Sequence, residues 1–276
     1  MDAVSRIDPT DLNQRNPDAI ARVLPSFSFL YDTYFRCEID GLENVPKEGA
    51  AIIFGNHSGS TYTMEAGMLA VALLRRYGLD HPLYVLCHKA FFEVPKLRRW
   101  FLDFGCVLAS RDVASRLLQR GGQFVVFPGG DRDSHKPFRQ RHKVNFFGHA
   151  GFIRMSLTER VPLVPFAHVG THETMFVLSR GERLAQVLRL KKLTGLAVFP
   201  LILSFPFGLS LGPVFPAIPL PSKFSMKLLP QVRLWEMGWD DPDNPQHIEE
   251  SLAYLTGEVQ SAVDELAQAR KRPVLG

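Results

Sequence analysis

The chain has 276 residues, of which 46% are hydrophobic, so it is long and apolar enough for one α/β domain with appendages or for two small domains. Its formal net charge of +4 at pH 7 is too small an excess to indicate nucleic acid binding, and we expect no nucleic acid partner. The charge fits a slightly basic soluble protein as well as one that meets anionic lipid or a phosphorylated cofactor at one face.

The cysteines and the N-terminus indicate the compartment. The three cysteines, Cys37, Cys87 and Cys106, form no C-x-x-C pair and are odd in number, which predicts a reducing environment without a disulfide framework. Residues 1–16 contain three aspartates and no apolar run, so the pattern is not that of a signal peptide. We therefore expect the protein to stay on the cytoplasmic side.

The first predicted element is an amphipathic helix over residues 17–35, in which Pro25 is a potential kink. Such a helix can lie on a bilayer or cover the protein core, and the sequence leaves both alternatives open.

From residue 50 onward, predicted strands and helices alternate, which indicates an α/β fold with a mixed, largely parallel sheet flanked by helices. The chain closes with an amphipathic helix over residues 247–270. The predicted strands are residues 50–55, 83–87, 105–109, 123–127 and 161–165, and the predicted helices between them are 64–77, 95–104, 113–120 and 151–158.

Residues 193–222 form a segment of 30 residues without Lys, Arg, Asp, Glu or His. A membrane-spanning helix needs roughly 20 such residues, but six prolines interrupt this segment and would leave backbone groups unpaired in lipid. We favour a loop that dips into a membrane or lines an acyl chain. Plain core packing and true insertion are the alternatives.

The first candidate site is the sequence Gly-Asn-His-Ser-Gly-Ser over residues 55–60, directly after a predicted strand. Ligands gather at the carboxyl ends of strands in open α/β sheets, so His57 is well placed to act as a base. Such a base needs a partner that fixes its tautomer, and Glu65 in the first turn of the next helix can reach back to it. The alternative is a structural histidine that bonds to the loop backbone.

Two further sites follow predicted strands. Residues 105–111 end in Arg111, whose guanidinium could bind phosphate or carboxylate, or could instead pair with Asp103 or Asp112. Residues 127–133 read Phe-Pro-Gly-Gly-Asp-Arg-Asp, and the paired glycines could bring backbone amides to a developing oxyanion or simply form a tight turn.

Residues 131–143 hold five Lys and Arg side chains and two histidines, which predicts a solvated face or a site for a phosphate-rich cofactor such as coenzyme A. The sequence contains no G-x-S-x-G, Walker or H-E-x-x-H motif. His168 and His172 are four residues apart but do not lie in a helical pattern, so we expect no metal site.

Four blocks in this order resemble those of the glycerolipid acyltransferase superfamily, which includes glycerol-phosphate and lysophosphatidate acyltransferases. The resemblance covers about residues 35–235, so residues 1–34 would be a membrane-proximal segment and residues 35–276 the acyltransferase domain. The blocks are Asn56-His57 with the downstream acid Glu65, Gly105 to Arg111, Phe127-Pro128-Gly129-Gly130, and Val161-Pro162-Leu163-Val164-Pro165.

Two departures refine the resemblance. The usual acid lies five residues after the histidine, where this chain has Tyr62, so the role falls to Glu65 on a longer loop. Members that act on phosphate esters carry Glu in the third block where this chain has Gly129. With Asp133 three residues beyond Gly130, the block is more similar to that of the diacylglycerol-acyltransferase-related branch, which acylates neutral lipids or alcohols, whereas Arg111 favours a phosphorylated acceptor.

The resemblance implies an O-acyltransferase that needs no cofactor or metal beyond its donor substrate, acyl-CoA or acyl carrier protein. His57 would be the general base and Glu65 would orient it. Amides near Gly129 and Gly130 would stabilise the oxyanion that forms when a lipid hydroxyl attacks the thioester carbonyl. The expected location is the cytoplasmic side of a membrane, peripheral or monotopic. A lipid carrier and an acyl thioesterase on the same fold are the alternatives. The residues expected to bind substrate are Asn56, Ser58, Gly59, Arg111, Phe127, Pro128, Gly129, Gly130, Asp131 and Asp133.

Overall fold

The strands of the protein form one large and one small sheet in a computed structural model that describes residues 8–59, 63–195, 197–212 and 217–270. The described strands are β1 (Glu38–Asp40), β2 (Ala51–Gly55), β3 (Leu83–Cys87), β4 (Cys106–Leu108), β5 (Gln123–Val126), β6 (Leu163–Val169), β7 (Phe176–Ser179), β8 (Leu201–Ser204), β9 (Gly208–Leu211) and β10 (Ser225–Leu228).

The described helices flank the large sheet or follow its strands. They are α1 (Pro17–Phe29), α2 (Met64–Tyr77), α3 (Pro95–Asp103), α4 (Arg111–Gln119), α5 (Gly130–Ser134), α6 (Gly151–Glu159), α7 (Glu182–Val187), α8 (Leu190–Thr194) and α9 (Pro245–Ala269).

The large sheet has the strand order β1-β10-β6-β2-β5-β3-β4. The five strands from β6 to β4 are parallel to one another, while β10 is antiparallel to β6 and parallel to β1. The predicted mixed, largely parallel sheet is therefore confirmed. Parallel strands end at one edge, so the loops after β2, β3, β4, β5 and β6 share one side of the molecule.

Helices cover both faces of this sheet, because its central strands are apolar on both sides. Every residue of β2 is buried. Ile52 and Phe54 belong to the core that α4, α6 and α9 cover, whereas Ala51 and Ile53 belong to the core that α2 covers. Burial of an aliphatic side chain contributes roughly 1.5–3 kcal/mol, so these two cores hold the strand ends in place.

The predicted element boundaries lie within one or two residues of the observed ones, with two informative exceptions. The helix predicted from residue 113 begins at Arg111, because the Ser110 hydroxyl caps it by accepting the Val113 amide. The strand predicted to end at Pro165 continues to Val169. Pro165 has no amide hydrogen to donate to a neighbouring strand. It is tolerated because β10 ends at Leu228, one residue before the position opposite Pro165.

The N-terminal helix packs against the protein core along one side. It continues through Pro25 and ends in a π-helical turn, Leu30–Tyr34. Its apolar side packs on the core under α2 through Phe27, Leu30 and Tyr31, so the helix covers the protein core.

In its described residues, the uncharged segment 193–222 contains the hairpin β8–β9 and no long helix. Together with β7, the hairpin forms the small antiparallel sheet, in the order β7-β8-β9. None of the described helices combines the length and the apolarity that a bilayer span requires. The sequence analysis did not predict the strands of the small sheet, β1 or β10. These strands are short, and several of them pair with strands that are distant in sequence.

Candidate active site

The first candidate site lies at the carboxyl end of β2, where the loop is tied to β6. Gly55 allows this approach, since a Cβ there would lie 2.1 Å from the carbonyl oxygen of Phe166. The Asn56 side chain then bonds to both backbone groups of His168, donating to the carbonyl at 2.9 Å and accepting from the amide at 3.1 Å. Asn56 is buried and its side chain ties the loop to β6, while its predicted contact with substrate stays a prediction.

His57 contacts the partner that the sequence predicts. Its Nδ1 lies 2.5 Å from Oε1 of Glu65, which is fully buried in the first turn of α2 and also accepts the Ser58 amide at 3.2 Å. A carboxylate only accepts, so Nδ1 carries the proton and Nε2 has the free lone pair. The His57 side chain is 10% exposed. The contact required by the assignment of Glu65 is present, while Tyr62 lies outside the described residues.

Electrostatics keep Glu65 ionised. Burial by itself raises the pKa of the Glu65 carboxyl, but the imidazoles of His57 and His168 outweigh it and hold that pKa below its usual value. Glu65 is therefore a carboxylate at neutral pH and can stabilise a proton gained by His57.

The loop after β5 holds the other side of His57. The Phe127 ring stacks on the imidazole with centroids 4.6 Å apart and planes 13° apart. The Asp133 carboxylate accepts the backbone amide of His57 at 2.7 Å and pairs with the Lys136 ammonium at 2.9 Å. Asp133 and Lys136 are each 1% exposed, so this ion pair is an internal support of the His57 loop. Asp133, predicted to bind substrate, is placed here as a positioning residue.

The two glycines of this loop serve different purposes. A Cβ on Gly129 would lie 2.4 Å from Cβ of Asp133, so the residue must lack a side chain. Gly130 has φ +53°, and its amide already donates to the Phe127 carbonyl at 3.0 Å. The turn therefore uses the Gly130 amide, and the expectation that amides near Gly129 and Gly130 serve an oxyanion stays a prediction. Pro128 accepts from His149, and Asp131 accepts the Ala197 amide at 2.5 Å.

Arg111 lies at the same edge of the sheet but farther from His57. β4 is three strands from β2, which corresponds to about 14 Å at roughly 4.8 Å per strand. Asp103 pairs with Arg99 and Asp112 with Arg116, so within the described ranges neither carboxylate holds Arg111. Arg111 is exposed on the first turn of α4.

A hydrogen-bonded chain behind the histidine was not predicted. The Nε2 proton of His168 is donated to the Asn56 carbonyl at 2.6 Å, so its Nδ1 accepts from the Thr171 hydroxyl at 2.9 Å. Thr171 in turn accepts from the Ser58 hydroxyl, which makes Ser58 a member of this chain, while its predicted contact with substrate stays a prediction. Gly59 follows with φ +82° against the Thr171 carbonyl. Only the extension of β6 to Val169 places His168 here.

The basic run 131–143 does not form one patch. Lys136 pairs with Asp133, Arg132 with Glu182 at 3.0 Å, and Arg141 with Glu173 at 3.4 Å. Burial lowers the pKa of His135 to about 4. The coenzyme A site suggested by this run therefore has fewer open cations than the sequence implies. Across the described ranges, no group of three His, Cys, Asp or Glu residues is arranged to hold a metal ion.

Comparison with known proteins agrees with this geometry. Residues 36–169 match the family model described as Acyltransferase. Proteins called uncharacterized from Mycobacterium tuberculosis and Mycobacterium bovis are 29% identical over 256 residues, which is 93% of this chain and 68% of theirs. A Mycobacterium leprae protein, also called uncharacterized, is 27% identical over 93% of this chain and 67% of its own length.

The fold has a counterpart among solved structures. The 1-acyl-sn-glycerophosphate acyltransferase PlsC from Thermotoga maritima superposes with a TM-score of 0.55 and 19% identity, covering 93% of this chain and 81% of that one. The matched region contains His57, Glu65, Arg111 and the loop after β5. Residues 36–169 are thus similar to the acyltransferase family, and the chain shares its fold with the acyltransferase PlsC.

Proposed function

We propose that the protein is an O-acyltransferase that moves a fatty acyl group from a thioester donor, acyl-CoA or acyl carrier protein, to the hydroxyl of a lipid. The observation that carries the proposal is the 2.5 Å contact between Nδ1 of His57 and the buried carboxylate of Glu65. This contact leaves Nε2 as the basic nitrogen and provides a fixed negative charge behind it.

The reaction needs one proton acceptor and no covalent enzyme intermediate. Nε2 of His57 takes the proton of the acceptor hydroxyl while its oxygen bonds to the thioester carbonyl carbon. The tetrahedral oxyanion then collapses, the carbon–sulfur bond breaks, and Nε2–H returns the proton to the leaving thiolate. General-base assistance of this kind contributes roughly 10²–10⁴-fold, and positioning and charge stabilisation contribute the rest.

Two residues bear on the class of acceptor, and they favour different classes. Gly129 has no space for the carboxylate side chain that members acting on phosphate esters carry there, which favours a neutral acceptor. Exposed Arg111 is available to an anionic group, either on the acceptor or on the donor. A lysophospholipid and diacylglycerol are therefore the first acceptors to compare.

A lipid acceptor resides in a bilayer, so the protein would work at the cytoplasmic surface of a membrane as a peripheral protein. The same site with water in place of the alcohol would be a thioesterase, and a site that binds lipid without turnover would be a carrier. These two functions are alternative outcomes of one assay.

The decisive experiment incubates purified protein with labelled acyl-CoA, or labelled acyl carrier protein, and a panel of detergent-dispersed acceptors. Labelled ester means transferase, labelled free acid means hydrolase, and bound unreacted lipid means carrier. Transferase activity should disappear in His57→Ala while circular dichroism and thermal unfolding stay close to wild type.

The matched control is His247→Ala, which removes a 24% exposed imidazole near the start of α9, outside the strand-end site. It should keep the wild-type rate. If His57→Ala retains more than about a tenth of the wild-type rate, the general-base role is wrong.

A further inference from the structure

The outer face of the small sheet is apolar and open. Leu203 on β8 pairs with Leu209 on β9, and Leu201 pairs with Leu211, so these leucines share one face. Leu203, Leu209 and Leu211 are between 44% and 63% exposed. The opposite face holds buried Ile202, which pairs with buried Val177 of β7. The sheet is therefore apolar on both sides, although only one side meets the protein.

The turn of the hairpin extends this face. Phe205 and Phe207 at the tip are 59% and 50% exposed, and Ile218 is also half exposed. The Ile218 amide donates a hydrogen bond of 2.8 Å to the Phe205 carbonyl. Contiguous exposed apolar side chains of this kind mark interaction sites rather than ordinary surface.

Positive charge accompanies the apolar face. Between β7 and β8 the chain carries five cations, Arg180, Arg183, Arg189, Lys191 and Lys192, and a single carboxylate, Glu182. The carboxylate is used by Arg132. The four cations from Arg183 to Lys192 are exposed on α7, α8 and the turn between them, beside exposed Leu184, Val187 and Leu188. Apolar side chains flanked by Lys and Arg are complementary to an anionic lipid surface.

This unit is fastened to the loop that holds His57. The Ala197 amide donates to Asp131 at 2.5 Å, Arg132 pairs with Glu182, and the Arg180 guanidinium donates to the Arg132 carbonyl at 2.9 Å. The apolar face and the candidate catalytic loop therefore belong to one connected structure. A lipid reached by the hairpin would be presented next to the strand ends.

We propose that the outer face of β8–β9, with its tip and the cationic α7–α8 turn, is the surface through which the protein docks on an anionic bilayer. We call it the docking face. The role of the docking face, which is to bring a lipid acceptor to His57, rests on the proposed function. The N-terminal helix is not this surface, because it packs on the core and Phe29, at 57%, is its only strongly exposed large apolar side chain among the described residues.

Vesicle sedimentation tests the docking face without any turnover. Wild-type protein should bind phosphatidylcholine vesicles that contain about 30% phosphatidylserine or phosphatidylglycerol, and should bind pure phosphatidylcholine more weakly. Leu209→Asp combined with Phe207→Asp should weaken binding at least tenfold. Phe29→Asp is the control for each of these single charges, since it places one Asp on a comparably exposed apolar position outside the docking face, and it should bind like wild type.

Charge reversal separates the electrostatic contribution to vesicle binding from the apolar contribution. Lys191→Glu with Lys192→Glu should lower affinity for anionic vesicles by about fivefold or more per residue and leave binding to phosphatidylcholine unchanged. All variants alter exposed positions, so their thermal unfolding should match wild type.

Three outcomes would overturn the docking face: wild type that binds no vesicle, binding lost in Phe29→Asp but kept in the hairpin variant, or a hairpin that instead holds a second copy of the chain in sedimentation velocity. Acyl transfer to a detergent-dispersed acceptor is measured in parallel. Wild-type protein that transfers the acyl group but binds no vesicle would reject only the docking face, and wild-type protein that binds vesicles but does not transfer would reject only the proposed reaction.

Discussion

The two sheets of this protein are built from the same kinds of residue and meet different surroundings. β2 in the large sheet is buried along its whole length, whereas β8 and β9 in the small sheet alternate between covered and open positions. Both regions read as apolar in sequence. The difference lies in what covers them, since helices lie on both faces of the large sheet while the small sheet leaves leucines open.

This difference assigns separate tasks to the two regions. The large sheet gains its rigidity from two cores, and it holds His57 and Glu65 at one edge with a fixed geometry. The small sheet gives up burial on one face and keeps a surface that a partner can cover. Changes in the large sheet should therefore affect turnover or stability, and changes on the docking face should affect association.

The largest effect should come from Glu65→Gln. An amide can donate to Nδ1 of His57, which would leave Nε2 protonated and unable to act as base. We expect transfer to fall by roughly 10²–10⁴-fold with the fold retained, measured as kcat/KM with saturating donor. Glu258→Gln on the exposed side of α9 is the control and should keep the wild-type rate. A loss smaller than tenfold would contradict the orienting role of Glu65.

The second effect concerns the ion pair under the His57 loop. Lys136→Met would leave the Asp133 carboxylate buried without its cation, which costs about 3–5 kcal/mol. Urea unfolding should show this loss, and adding Asp133→Asn should recover part of it because no unpaired charge remains. If the single and double variants are equally stable, the pair does not support the loop.

The third effect compares the sheets directly with the same substitution. Leu163→Ala in the large sheet removes a fully buried side chain and should cost about 2–5 kcal/mol. Leu209→Ala on the docking face should change the unfolding free energy by less than about 0.5 kcal/mol. Equal losses in urea unfolding would mean that the outer face of the small sheet belongs to a core.

The smallest effect should come from Arg111→Lys. The change keeps the charge and removes the planar fork, so KM for a phosphorylated substrate should rise a few-fold while kcat stays constant. Arg116→Lys on the same helix, where the side chain pairs with Asp112, is the control. An unchanged KM for every phosphorylated substrate would leave Arg111 without a binding role.

The chain's own pattern determined most of the large sheet and the identity of the candidate pair. The predicted strands 50–55, 105–109 and 123–127 are short apolar runs bounded by glycine or polar residues, which is the pattern of buried strands. The spacing from His57 to Glu65 was enough to predict their contact, because a helix that begins at residue 64 places its first turn next to the preceding loop. These features depend on local order along the chain.

Only the tertiary structure decided which polar groups support the site and which apolar groups remain open. Asn56, His168 and Thr171 form one network although as many as 115 positions separate them, and Asp133 reaches the His57 amide across 76. Likewise, the sequence favoured a membrane-facing or acyl-lining loop for the uncharged segment 193–222 and left the helix 17–35 open between a bilayer and the core. The core under α2 covered one of them and left the hairpin exposed, because burial depends on the partner that a surface meets and not on its own composition.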